Sequence, residues 1–251
     1  LVQNGDFSQE GSELVTNGDF ATDSDWSVFD GWSIANGKAS NDGTDGYLRQ
    51  NFNTVNGRIY KVVFTVSDYV SGSVRPRLMG GTSGNGDYVS SNGTYTQYIT
   101  SNGNTNFRFQ ADDFNGSIDN VSVKEVGQNW DLQSEWSIGT NKAIYDNSGS
   151  GNLNQSFTWQ VGKTYKITFD IGDFTTNQRF DIYSGVSFIK TATTENNTSY
   201  EIYFNGDGGS TFRFRGLTTE SFSISNISVI EITDDTNLPR INYEGFSYQD
   251  A

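Results

Sequence analysis

Apolar residues occupy every second position through most of this chain. Tyr60, Val62, Phe64 and Val66 share one face of a ladder whose other face carries Lys61, Val63, Thr65 and Ser67. Leu48, Gln50 and Phe52 alternate with Arg49 and Asn51, Phe107 and Phe109 with Arg108 and Gln110, and Val121 and Val123 with Ser122 and Lys124. A period of two belongs to β-strands, in which successive side chains point to opposite faces. No window sustains a helical period. Asn-Gly pairs begin at Asn36, Asn56, Asn92, Asn102 and Asn115 and supply the positive φ that reverses a chain between strands. One-sided strands separated by such turns predict an all-β chain built as antiparallel sandwiches.

The pattern is written twice. GWSIANGKAS at Gly31–Ser40 returns as EWSIGTNKAI at Glu135–Ile144, and GRIYKVVFTVSDY at Gly57–Tyr69 returns as GKTYKITFDIGDF at Gly162–Phe174. The ends match too, Asn104–Val126 against Gly209–Ile232, with Tyr165, Ile167, Phe169 and Ile171 forming the second central strand. A repeat of this length has the size of a self-sufficient domain, too long for a solenoid unit. Two tandem β-sandwich (jelly-roll) domains are therefore expected, over 14–126 and 127–232, with Asn129–Leu132 standing where Asn17–Phe20 stands in the first. Residues 1–13 contain LVQNGDF, a surplus copy of the LVTNGDF that opens the first domain; it is either the remnant of a preceding repeat or a strand for a neighbouring chain or an open sheet edge. Residues 233–251 lack a period and read as a linker or interaction tail.

Composition narrows the chemistry. A formal charge of −14 disfavours duplex nucleic acid, whose binding is driven by Lys and Arg. No apolar run approaches the roughly 20 residues of a membrane-spanning helix, so no membrane insertion is expected. Cysteine and histidine are both absent, which removes disulfides, thiolate metal sites and the commonest general base. The chain begins at Leu1 with neither Met nor a signal pattern, as expected of a piece of a longer polypeptide. Paired carboxylates such as Asp112 with Asp113, Asp42 with Asp45, and Asp234 with Asp235 fall in Asn- and Gly-rich turns where solvation keeps them ordinary acids, so no enzyme is predicted.

Five features in order resemble carbohydrate-binding modules of the family 4 and 9 type: the opening NGDF, Trp32 in GWS, Leu48-x-Gln50, Gly57-x-x-Tyr60-x-x-x-Phe64, and Ile118-Asp119-Asn120-Val121. The resemblance covers the first domain almost throughout and the second less well. It implies jelly-roll sandwiches without catalysis that hold a glycan on one sheet, as modules of larger extracellular, cell-surface or virion proteins, phage structural proteins among them. It also implies a structural Ca2+ beside the opening strand, held by an acidic residue after NGDF and by the Asp of the closing strand. Asp119 matches the latter, but Ala21 stands at the former, leaving Asp19, Asp23 or Asp25 as substitutes. The second domain has Ser225 in place of Asp119, so calcium is expected in the first only.

The ligand surface is expected among side chains alternating out of the core: Arg49, Arg75, Arg77, Tyr98, Arg108 and Gln110 in the first domain, and Arg179, Tyr203, Arg213 and Arg215 in the second, with Asp181 opposing the place of Arg77. Arg offers a planar fork for carboxylate or sulfate, and Tyr an apolar plate for a sugar ring. The expected partner is a polysaccharide, acidic or sulfated; the alternative is that these arginines pair across strands with Asp and Glu. Trp32 and Trp136 match between copies and read as core, whereas Trp26 and Trp159 read as exposed platforms. The rival function is a structural repeat unit of a fibre, filament or phage appendage, assembling head to tail through 1–7 and 233–251 without a glycan.

Overall fold

The computed structural model describes residues 1–173, 178–185, 187–194, 198–217 and 221–233. The expected tail lies outside these residues. The fold is all-β and antiparallel. The first copy contains β1 (Ser27–Val28), β2 (Trp32–Ala35), β3 (Lys38–Asp42), β4 (Tyr47–Asn51), β5 (Ile59–Met79), β6 (Gly84–Asn85), β7 (Gly93–Thr100) and β8 (Asn106–Val126). β5 and β8 each run through both layers of a sandwich. Their early and late halves pair with each other, and register shifts between Ser67, Ser71 and Ser73 mark the corner. One layer has the order β1-β4-β8-β5-β6 and the other β2-β3-β8-β5-β7. Between them lies a core that includes Leu48, Val62, Phe64, Phe107, Phe109 and Val123, each fully buried.

The second copy contains β9 (Asp131–Leu132), β10 (Trp136–Gly139), β11 (Lys142–Tyr145), β12 (Asn152–Ser156), β13 (Thr164–Gly172), β14 (Gln178–Ser184), β15 (Ser187–Thr194), β16 (Thr198–Asn205), β17 (Thr211–Gly216) and β18 (Phe222–Ile232). Its two five-stranded sheets have the orders β9-β12-β17-β14-β15 and β10-β11-β18-β13-β16. Strand for strand this repeats the first copy. The repeated Gly-x-x-Tyr motif has the same role in both: Gly57 and Gly162 turn the chain with φ of 77° and 81°. The following tyrosine oxygen then accepts the N–H of Val55 in one copy, at 2.9 Å, and of Gln160 in the other, at 3.0 Å.

By their contacts the described residues form two compact units, one of Leu1–Gly5, Asp131–Glu135 and those described from Asn147 to Thr233, the other of Asp6–Trp130 and Trp136–Asp146. The grouping of Leu1–Gly5 with the far end of the chain revises the expectation of a surplus strand. Within the first copy, Leu14 N–H donates to Val123 O, Val121 N–H to Gly18 O, and Thr16 exchanges two 2.8 Å bonds with the Gln50 side chain. The segment at Leu1 makes the same set on the second copy. The Leu1 amino group donates to Val229 O, Ile227 N–H donates to Gly5 O, and Gln3 exchanges two 2.8 Å bonds with the Gln155 side chain. Asn4 and Asn17 adopt φ of 50° and 52°, and Phe7 and Phe20 adopt 55° and 49°. Leu1–Gly5 thus opens the second sandwich, although the whole first sandwich intervenes in sequence, and Asn129–Leu132 does not take that role.

The tryptophans follow from this. Phe20 packs on Trp26 and Phe7 on Trp130, each with ring centroids 5.3 Å apart, so Trp26 does have a counterpart. Neither Trp26 nor Trp159 is an exposed platform. Trp26 is buried and donates its indole N–H to Asn17 O at 3.0 Å, and Trp159 is fully buried and donates to Thr211 O at 2.8 Å. Trp159 stands where the first copy has Thr54, whose hydroxyl joins a buried network with Ser101 and Asn104. One ring in the second copy thus replaces a hydrogen-bonded polar cluster in the first. Trp32 and Trp136 are buried.

Candidate ligand-binding site

On the β1-β4-β8-β5-β6 layer of the first copy, alternation turns Leu48, Phe107, Phe109, Val74 and Leu78 inward and the arginines outward. Register then decides what stands beside what. Arg49 faces Arg108 and Arg108 faces Arg77, flanked by Ser27 and Asn85, so one row crosses five strands. The adjoining row contains Tyr47, Gln110 and Arg75. With strands about 4.8 Å apart, the guanidinium stems of Arg49, Arg108 and Arg77 are spaced over roughly 10 Å.

Three of these arginines lie against aromatic rings: Arg49 over Phe29 at 5.1 Å, Arg108 over Tyr47 at 5.0 Å and Arg75 over Tyr88 at 4.4 Å. Phe29 and Tyr47 stack on one another at 4.2 Å. Such contacts hold a guanidinium by its face and leave its edge N–H groups for a planar anion. Arg77 is held differently, donating to Asn85 Oδ1 at 2.7 Å, to Ser83 Oγ at 3.2 Å and to Gln110 Oε1. Gln110 Oε1 also accepts from Arg108.

No carboxylate among the described residues stands within salt-bridge distance of Arg49, Arg75, Arg77 or Arg108, so they do not pair across strands with Asp and Glu. The Nε atoms of Arg49, Arg75 and Arg108 are buried without a hydrogen-bond partner in the protein. Burial, followed by the neighbouring guanidinium groups, pushes the pKa of Arg77 downward, and burial is likewise the main downward influence on Arg108. Like charges held together without a carboxylate partner form a surface that an anion would stabilise.

Tyr98 does not join this surface. It lies on β7 in the other layer, in register with Lys61, where Glu10 bridges Lys61 and Lys124 at 2.6 and 3.0 Å. Tyr203 likewise lies on β16, beside Lys166, and donates to Glu201 at 2.7 Å. Strand alternation marked both as outward, but only the sheet order assigns them a layer. The signal missed in the sequence is the aromatic set of Phe29, Tyr47 and Tyr88, which alternation and the adjacent loops bring beneath the arginines.

The second copy dissolves the arginine row. Register places Asn154 where Arg49 stands, Tyr183 where Arg77 stands and Arg215 where Gln110 stands, leaving Arg213 as the equivalent of Arg108. Asp181 takes the place of Arg75 and not of Arg77, and is buried, accepting from Thr191 and Tyr183. Arg213 donates to Asn154 Oδ1 at 2.9 Å. Arg179 is placed by its backbone on β14, in register with Thr193.

No group of three or more Asp, Glu, His or Cys among the described residues stands together as a metal cluster. Asp19 accepts from the N–H of Ala21 at 3.3 Å, and Asp119 from the N–H of Asn120 at 2.6 Å. Exposed Asp23 and Asp25 add no third carboxylate.

No family model matches the chain, and no curated protein matches it. Solved structures with some likeness include a fucolectin from striped bass serum, at 11% identity over 75% of this chain and 82% of that one with a TM-score of 0.30. An allantoicase follows at 11% over 74% and 76%, TM-score 0.31. The tandem CBM51 modules of a family 98 glycoside hydrolase from Streptococcus pneumoniae follow at 7% over 88% and 92%, TM-score 0.27. At such scores the case for a ligand rests on the arginine surface itself.

Proposed function

We propose that the first sandwich is a non-catalytic module that binds an acidic polysaccharide within a larger extracellular or virion protein. Its anionic groups sit on Arg49, Arg108, Arg77 and Arg75, and its rings pack near Phe29, Tyr47 and Tyr88. The observation that carries this reading is the cluster of four arginines, none within salt-bridge distance of a carboxylate among the described residues, on a chain of formal charge −14. A merely solvated cationic surface would have drawn some of the abundant carboxylates into pairs, as the lysines do at Asp68, Glu10, Glu231 and Glu201. Asp6, Glu10, Asp42, Asp68, Glu201 and Asp207 are each lowered in pKa by the hydrogen bonds they accept, which marks them as ordinary ionised acceptors.

The test is affinity electrophoresis in gels containing anionic or neutral polysaccharide. Arg49→Ala combined with Arg108→Ala should reduce retention on the anionic polymer at least about tenfold, while Arg213→Ala should leave it unchanged. Equal retention of the double variant and the parent would remove the proposal.

A further inference from the structure

Polarity on the arginine layer changes along the strands as well as across them. On β8 the outward side chains read Arg108, Gln110 and Asp112, in steps of about 6.6 Å. β4 changes in the same direction, since Arg49 and Tyr47 stand across from Arg108 and Gln110 and are preceded by Asp45. Asp30, Asp45 and Asp112 with Tyr47, Arg108 and Gln110 line an open depression of about 280 Å³, room for one six-membered sugar ring. Its shape depends on Gly46. A Cβ there would lie 2.0 Å from the backbone oxygen of Asp30, so only glycine lets the Asp30 loop close against β4. Asp45 is fixed in place, accepting the N–H of Asp113 at 2.9 Å.

We infer that this depression selects a uronic-acid ring, with its carboxylate on Arg108 and its two free hydroxyls donating to carboxylates of the set Asp30, Asp45 and Asp112, over rings whose hydroxyls carry sulfate. The inference rests on the polysaccharide reading above. A hydroxyl offers a proton to a carboxylate, whereas a sulfate in the same place offers none and adds negative charge beside three others. Within such a polymer a uronate ring has its charge at one edge and its two free hydroxyls on the opposite one, the same order as the surface. A polymer of such rings also presents one carboxylate per ring to the successive arginines of the row.

Charge density alone argues the opposite way, since a heavily sulfated chain would gain more from four arginines; selection against it is therefore a demanding outcome. The full chain is titrated at one fixed ionic strength with polygalacturonate, heparin and neutral dextran. Polygalacturonate should bind about tenfold more tightly than heparin, and dextran should not bind. Asp45→Asn with Asp112→Asn should reverse that order; asparagine at position 45 still accepts the Asp113 N–H, so the loop keeps its anchor. Tighter binding of heparin by the unaltered chain, or a preference untouched by the double variant, overturns the inference while leaving the polysaccharide reading intact. Binding of neither anionic polymer over dextran overturns both.

Discussion

Replacing Gly5 by alanine should destabilise the sandwich at the far end of the chain and spare the one that follows Gly5 in sequence. The added Cβ would lie 1.8 Å from the backbone oxygen of Ile227, where ordinary contacts exceed 3 Å, so the opening segment must retreat by about 1 Å. A retreat of that size breaks the 2.9 Å bond from Ile227 N–H to Gly5 O and pulls Gln3 from its two 2.8 Å bonds with Gln155. At about 1 kcal/mol each these amount to about 3 kcal/mol, a large part of a small domain's stability. Hydrogen exchange followed by mass spectrometry reads the two sandwiches separately. In Gly5→Ala, amides of β18 should exchange about a hundredfold faster while those of β8 at 117–126 keep their protection. Gly18→Ala, whose Cβ would meet Val121 O at 2.0 Å, should give the mirror image. Equal effects of Gly5→Ala on both strands, or none on β18, would refute the assignment of Leu1–Gly5 to the second sandwich.

Trp159→Ala should cost about 3–5 kcal/mol, because the ring is fully buried and its N–H is committed to Thr211; a loss below about 1 kcal/mol in denaturant titration would show that the ring is not packed. The Lys61 and Lys124 ammonium groups hold the Glu10 carboxyl below its ordinary value of 4.5, so its contribution is present above that pH and disappears as the pH falls through the depressed value. Glu10→Gln should accordingly lower stability by about 0.5–1 kcal/mol near pH 7, the pair being partly solvated. The deficit should shrink on acidification, and one that grew instead would reverse the sign of this linkage.

Local pattern was enough for part of this molecule. The period-two alternation at Tyr60–Val66 and Phe107–Gln110 decided which side chains are buried, since the pleat alternates them whatever the partner strand. It also turned Arg49, Arg75, Arg77 and Arg108 outward, and the internal repeat announced two similar sandwiches. What alternation does not contain is the identity of the neighbouring strand. Only tertiary pairing brought three arginines into one row, put Tyr98 and Tyr203 on the other layers and set Asp181 in the place of Arg75. The same holds for Leu1–Gly5 and for the buried Trp26 and Trp159. A backbone bond such as Ile227 N–H to Gly5 O joins residues more than two hundred positions apart, and its formation depends on geometry in space, which a one-dimensional pattern of polarity does not encode.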